Sequence, residues 1–170
     1  MNKFDVNAAR SLFERLLEAI TVFLIVSLAT VVVLGVIYRW SGHALSWYDE
    51  VASVQLAWLT YYGAALAALK RAHIGVPGLI AAVSPLYRVP LVICAEVVII
   101  GFFLVLAWNG YVVLLILEGD TLISLPDIGT QFTQSVIPIG AILFVIAEIL
   151  NLPQIWREAT GHSSVLRHES

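Results

Sequence analysis

Four long apolar segments restrict the folds that this sequence can adopt. They lie at about residues 16–38, 48–69, 87–117 and 131–152. Each reaches the length of about 20 residues that an α-helix needs to cross the roughly 30 Å hydrocarbon core of a bilayer. In the whole chain 60% of the residues are hydrophobic and 12% are charged, whereas soluble domains average about 25% charged residues. The sequence therefore predicts an all-α integral membrane protein with four transmembrane helices.

The two ends of the chain have a different character from the apolar segments. In residues 1–15, apolar side chains recur at helical spacing, with charged residues such as Lys3, Arg10 and Glu14 between them. This pattern is typical of an amphipathic helix that lies in the membrane interface. We predict such a helix over residues 1–15, leading into the first span. Residues 153–170 predict a polar cytoplasmic tail.

Lysine and arginine residues are concentrated on one side of the predicted topology. The two termini and the second connection carry all but one of the nine basic residues, and the exception, Arg39, lies in the first connection. Segments rich in lysine and arginine face the cytoplasm in most multi-pass membrane proteins. We therefore expect both termini to be cytoplasmic. Lys70 and Arg71 are expected to anchor the inner end of the second helix.

The second helix carries polar and small residues that suggest contacts with other elements. Asp49 and Glu50 lie at its start, where carboxylates favour the positive end of the helix dipole, and Ser46 followed by Asp49 has the spacing of a capping box. Two interpretations follow for this acidic pair, helix capping alone or a polar contact with another subunit. Further along, Gly63 and the neighbouring alanines form a small-residue face that favours close packing with another helix, within or between chains.

Two glutamates in the predicted spans are candidates for function, because a charge inside a bilayer is costly. Glu96 lies about ten residues into the third span, and Glu148 lies near the inner end of the fourth. Glu96 could be a proton or cation site, or a paired or protonated carboxyl inside the bundle or at a subunit interface. Glu148, like Glu18 in the first span, lies near the basic inner side and is expected to pair there.

The positions of the histidines argue against haem binding. All four histidines, His43, His73, His162 and His168, lie in connections or in the tail, whereas integral haem is held by side chains at bilayer depth. The sequence has no Cys/His metal spacing, no glycine-rich phosphate loop and no Ser-His-Asp pattern. We therefore predict no catalytic residue, no metal site, no cofactor and no nucleic-acid partner.

Several short motifs occur together in the order and spacing of a known family. The positions in and after the second helix that carry this pattern are Asp49, Glu50, Trp58, Gly63, Lys70, Arg71, His73 and Ile74. A second stretch combines Leu-Pro at 125–126 with Ile-Pro-Ile-Gly at 137–140. The chain thus resembles the small membrane subunit of tripartite ATP-independent periplasmic (TRAP) transporters, the DctQ-like family.

The resemblance implies a function as a non-catalytic permease subunit. In such transporters the small subunit is a scaffold in the bacterial inner membrane for a large multi-spanning subunit, at roughly one copy of each. The large subunit holds the substrate and sodium sites, and a periplasmic binding protein delivers an organic anion such as a carboxylate for sodium-driven import. The family-like residues, together with Glu96 and Glu148, are then expected to serve folding, orientation in the lipid and subunit contact.

Two other functions fit the residues alone. The chain could be a small self-assembling exporter that couples transport to protons through Glu96. It could also be a membrane anchor subunit of a redox enzyme, although the histidine positions argue against a haem in it. Co-purification with a large permease would separate the scaffold from both of these alternatives.

Overall fold

Long helices make up nearly all of the described chain. The structure, a computed structural model, describes residues 3–71 and 85–159. These residues form helices α1 Lys3–Trp40, α2 Tyr48–Leu69, α3 Pro85–Ile116, α4 Thr130–Gln134 and α5 Val136–Ala159. Within the described residues, four segments are long and apolar enough to cross a membrane, namely α1, α2, α3 and the α4–α5 pair. The predicted all-α class with four membrane-spanning helices is therefore confirmed.

The helix ends differ from the predicted ones mainly toward the termini. α1 is continuous from Lys3 to Trp40, so no turn separates its first residues from the span, and their position on the membrane surface stays a prediction. α5 continues past the predicted end at residue 152 to Ala159, with Pro153 inside it. Proline removes a single backbone donor, and a membrane helix tolerates that loss. Residues 160–170 of the predicted tail lie outside the described residues.

The four spans form an open row whose spatial order differs from the chain order. The extensive contacts between described helices join α1 with α2, α2 with α5, and α5 with α3. The last span therefore returns between the second and the third. Because the row does not close on itself, the buried core is small. It lies where α1, α2 and α5 meet and consists of Leu17, Ala65, Ala68, Leu69, Phe144 and Ala147.

A break at Ser135 separates α4 from α5. Pro138 has no N–H group, so the Gln134 carbonyl lacks the donor that a continuous helix would supply four residues later. The Ser135 N–H instead donates to the Phe132 carbonyl oxygen at 3.3 Å, which is the tighter spacing of a 3₁₀ turn. The break directs α4 toward the middle of α2.

Glycines allow tyrosine side chains of α2 to approach both of its neighbours closely. The Tyr48 ring packs directly over Gly35 of α1. On the other side of α2, a Cβ atom added to Gly140 of α5 would lie 2.6 Å from the Tyr61 Cβ atom. That distance is well inside van der Waals contact, so these two positions have no room for a side chain. The Phe103 and Phe144 rings stack with centroids 3.7 Å apart and hold α3 against α5.

We predict that Gly140→Ala destabilises the protein, because the new methyl group overlaps a Tyr61 atom close to the α2 backbone and the helices must separate. The expected loss is about 1–3 kcal/mol, as for other overpacked cores. Thermal unfolding in mild detergent, followed by tryptophan fluorescence, measures it. Gly101→Ala on α3 is the matched control, since a Cβ atom there meets nothing within 4 Å. Equal melting temperatures for the two variants would contradict the prediction.

Candidate functional site

Glu50 joins the N-terminal end of α2 to the connection between α3 and α4. Its carboxylate accepts the backbone N–H groups of Ile123 at 3.0 Å and Ser124 at 2.8 Å. The Ser124 hydroxyl donates to the Ser46 carbonyl oxygen at 3.1 Å. Hydrogen bonds to an ionised acceptor are stronger than neutral ones. Glu50 therefore fixes this connection over the first turn of α2. The interpretation that Glu50 only caps α2 is incomplete, because its carboxylate also binds a distant part of the chain.

We call residues 117–129, which form this connection, the outer knuckle. The knuckle is a compact turn with its own hydrogen bonds. The Leu122 N–H donates to the Ile128 carbonyl oxygen at 3.0 Å, and the Asp120 carbonyl oxygen accepts both the N–H and the hydroxyl of Thr130. The Leu122 side chain is buried, whereas the next side chain, Ile123, is 94% exposed. The knuckle thus holds one apolar side chain inward and presents the next one outward.

The predicted capping box at Ser46 and Asp49 is wrong. The N-cap residue of α2 is Trp47, and no side chain caps the helix there. Ser46 lies one residue too early to fill that position. The Asp49 side chain is exposed and accepts the N–H of its neighbour Glu50 at 2.9 Å, which satisfies one of the free donors in the first turn.

Trp58 connects the middle of α2 to α4. Its ring Nε1–H donates to the Thr133 carbonyl oxygen at 2.9 Å, and its ring centroid lies 5.3 Å from that of Phe132. A half-buried tryptophan needs a partner for this N–H, and the break before α5 supplies one. Gly63 lies five residues further along α2. The space at its side-chain position is open, because a Cβ atom added there meets no atom within 4 Å.

Lys70 binds two glutamates of α1 at the C-terminal end of α2. Its ammonium contacts the Glu18 carboxylate and lies 3.7 Å from Glu14. The hydrogen bond to Glu18 raises the pKa of Lys70. The predicted pairing of Glu18 with a nearby basic residue is therefore confirmed, and Lys70 joins α1 to α2.

Arg10 and Asn151 hold the last backbone carbonyl groups of α2. Arg10 donates to the Leu69 carbonyl oxygen at 3.1 Å and to the Asn151 side-chain oxygen at 3.0 Å. Asn151, which is 1% exposed, donates to the Ala68 carbonyl oxygen at 2.7 Å. Sequence reasoning placed Arg10 only among the basic residues of the N-terminus and missed Asn151. The sequence signal that could have identified Asn151 is an amide side chain within an apolar run, one helical turn after Glu148.

Arg71, Glu96 and Glu148 bring charged groups from three different helices or their ends toward the same end of the row. Arg71 follows the last residue of α2, Glu96 lies in the first half of α3, and Glu148 lies in the second half of α5. Glu148 is 9% exposed. The Oε2 atom of Glu96 is buried and has no hydrogen-bond partner among the described residues. Arg71 itself has a left-handed backbone with φ 53°.

Eight of the ten predicted site residues are described, and seven of them fall into two groups. Asp49, Glu50 and Trp58 lie on the N-terminal half of α2, and Lys70, Arg71, Glu96 and Glu148 lie toward its C-terminal end. Gly63 lies between these groups on an uncovered part of α2. His73 and Ile74 lie outside the described residues.

We predict that Asn151→Leu destabilises the protein by about 1–3 kcal/mol, because it removes two hydrogen bonds at a buried position and each contributes about 0.5–1.5 kcal/mol. The substitution removes the donor to the Ala68 carbonyl and an acceptor for Arg10 while keeping a similar volume. Thermal unfolding in mild detergent gives the difference. The control is Asn109→Leu, because Asn109 is exposed and donates only to its own helix, at the Val105 carbonyl oxygen. A melting temperature of Asn151→Leu equal to that of the control would contradict the prediction.

Comparison with known protein families assigns most of the chain. The family model for tripartite ATP-independent periplasmic transporters, DctQ component, matches residues 28–158. The match extends from the middle of α1 to the end of α5 and includes the outer knuckle. A comparison with curated proteins gives no match. The resemblance seen in the sequence motifs is confirmed, and the chain belongs to the DctQ family, the small membrane component of TRAP transporters.

Proposed function

We propose that the chain is the scaffold subunit that holds the large membrane subunit of a sodium-coupled importer in the bacterial inner membrane. The family works with a large membrane subunit and a periplasmic binding protein. In this proposal the binding protein delivers an organic anion, such as a carboxylate, to the large subunit. The large subunit carries the substrate and sodium sites, and one copy of this chain meets roughly one copy of it. Membership of a transporter-component family favours this function over the exporter and redox-anchor alternatives.

One uncovered face of α2 carries the proposal. We call it the α2 open face; it consists of Asp49, Ser53, Leu56, Thr60, Gly63 and Ala67. These positions recur at intervals of three and four residues, so they form a single stripe along the whole helix. The first four are exposed and the last two are half-buried. On the opposite side of α2, Val51, Val54 and Trp58 line an apolar groove toward α1 and α4.

The exposed faces of the other spans have a different composition. α5 exposes Ile139, Ile142, Ile146 and Ile149, again at helical spacing, and α1 and α3 expose many valine, leucine, isoleucine and phenylalanine side chains. Within α2, which is described in full, Leu56 is the one large hydrophobic side chain that is exposed. The faces of α1, α3 and α5 therefore suit acyl chains, and the α2 open face does not share their character.

Small residues at the interface between two transmembrane helices let the helix backbones approach closely. Such close packing drives helix association in a bilayer, where the hydrophobic effect does not. Glycine costs helix stability relative to alanine. Within this chain, Gly35 and Gly140 accommodate tyrosine rings, whereas no atom approaches the side-chain position of Gly63. A transmembrane helix of the large subunit packed along the α2 open face would fill this space.

The orientation proposed for the subunit has both termini in the cytoplasm. The inner end of the row then contains Arg10, Lys70 and Arg71. The outer side has Arg39, in the last turn of α1, as its sole lysine or arginine. This distribution follows the positive-inside rule. The contacts of Lys70 with α1 and of Arg10 with α2 and α5 keep the inner ends of these helices together. A row fixed in this way is suited to support a partner that moves during transport.

We predict that Gly63→Leu reduces recovery of the large subunit by at least about tenfold when the tagged chain is purified from membranes in mild detergent, because the new side chain occupies the space needed for close helix packing. Mass spectrometry of the co-purified proteins measures the recovery. The melting temperature of the isolated chain should not fall, since the space around Gly63 is open.

Gly101→Leu is the control for this experiment, because the side-chain position of Gly101 on α3 is equally open. Full recovery with Gly63→Leu and loss with Gly101→Leu would move the interface from α2 to α3. A wild-type chain that co-purifies only with copies of itself would contradict the scaffold function altogether.

A further inference from the structure

The outer knuckle has a rigid backbone but an uncovered tip. Glu50 holds the backbone N–H groups of Ile123 and Ser124, and Leu122 is inserted into the row of helices. Ile123 is nevertheless 94% exposed. A rigid loop that holds an apolar side chain away from its own core has already lost the conformational freedom that binding would remove. Interfaces formed by such preorganised groups bind more tightly for the same contact area.

The charge on the knuckle itself has one sign. The knuckle carries three exposed carboxylates, those of Glu118, Asp120 and Asp127. The sequence contains no lysine or arginine between residues 89 and 156, so no basic side chain on the knuckle, on α4 or on the adjoining ends of α3 and α5 offsets this charge. A surface that complements it is basic around an apolar recess, and such complementarity raises association rates and selects partners.

The position and composition of the knuckle distinguish between two possible protein partners, the large membrane subunit and the periplasmic binding protein. It lies beyond the ends of the spans, and its acidic rim surrounds a small apolar centre. Short-lived interfaces have such polar rims, whereas permanent interfaces are more apolar. The α2 open face, which lies along the span, has the composition for a permanent membrane partner. The knuckle instead has the composition for a soluble partner that binds and leaves.

We propose that the outer knuckle is a contact site for the periplasmic binding protein, with Ile123 inserted into an apolar recess that basic side chains surround. The proposal rests on the function and the orientation proposed above, because these place the knuckle in the periplasm. Glu50 then has a positioning role: its carboxylate fixes the backbone that presents Ile123. The binding protein is held partly by the small subunit while the large subunit receives the substrate.

The proposal is tested by measuring binding of the purified binding protein of this transporter to the complex of both membrane subunits in lipid nanodiscs. Ile123→Ser should raise the Kd about tenfold, as expected for loss of a central apolar contact. Ile123→Leu, which keeps an apolar side chain, should bind nearly as the wild type does. Asp120→Asn combined with Asp127→Asn should raise the Kd and also make it less sensitive to salt, because screening acts on charge attraction.

Recovery of the large subunit is measured for every variant and separates the two proposals. Equal recovery with weaker binding of the binding protein supports the contact site. An unchanged Kd in both Ile123→Ser and the double variant would overturn it and leave the scaffold function intact. Loss of the large subunit from Ile123→Ser would also overturn it, since the knuckle would then belong to the permanent interface. Absence of the large subunit from the wild-type complex would instead contradict the scaffold function.

Discussion

The arrangement of the helices depends on contacts with the carbonyl groups at the C-terminal end of α2. A helix leaves its last four carbonyl groups without partners in its own backbone, and hydrocarbon supplies none. Here Arg10 of α1 donates to the Leu69 carbonyl oxygen, and Asn151 of α5 donates to the Ala68 carbonyl oxygen, which also accepts the Arg71 N–H. Arg10 donates to the Asn151 side-chain oxygen as well. The three side-chain hydrogen bonds place α1 and α5 beside the same helix end. Together with the packing of Tyr61 over Gly140, they hold the last span next to α2.

The N-terminal end of α2 is held by a negatively charged group, whereas the positively charged Arg10 binds its C-terminal end. Glu50 lies in the first turn, where the helix dipole favours a carboxylate, and it holds two backbone N–H groups of the knuckle. Between the two ends, Tyr48 and Tyr61 pack over glycines of the neighbouring helices. Polar contacts at the ends therefore set how far each helix is shifted along its neighbour, and glycines set how closely the helices approach. The row keeps its order although few residues are buried.

Hydropathy predicted the four spans because the bilayer imposes a minimum apolar length on every one of them. It could not predict their spatial order, since α1 and α3 are apolar on nearly all sides and no periodic face marks a neighbour. The pairing of Glu18 could be predicted, because Glu18 lies near the end of the bundle where lysine and arginine residues are concentrated. The partners of Glu50 could not be predicted, because Ile123 and Ser124 lie more than seventy residues further along the chain. The spacing of Ser46 and Asp49 instead predicted a capping box at the start of α2.

An open row can be stable in a bilayer because lipid tails are as apolar as the side chains they cover. The valine and isoleucine faces of α1, α3 and α5 need no protein neighbour. The hydroxyls of the α2 open face are also satisfied within the helix, since Ser53 donates to the Asp49 carbonyl oxygen at 2.7 Å and Thr60 to that of Leu56 at 2.8 Å. The chain can therefore fold before it meets a partner. Lipid tails do not pack closely against the small residues of the α2 open face. A partner helix can pack there and gains dispersion contacts.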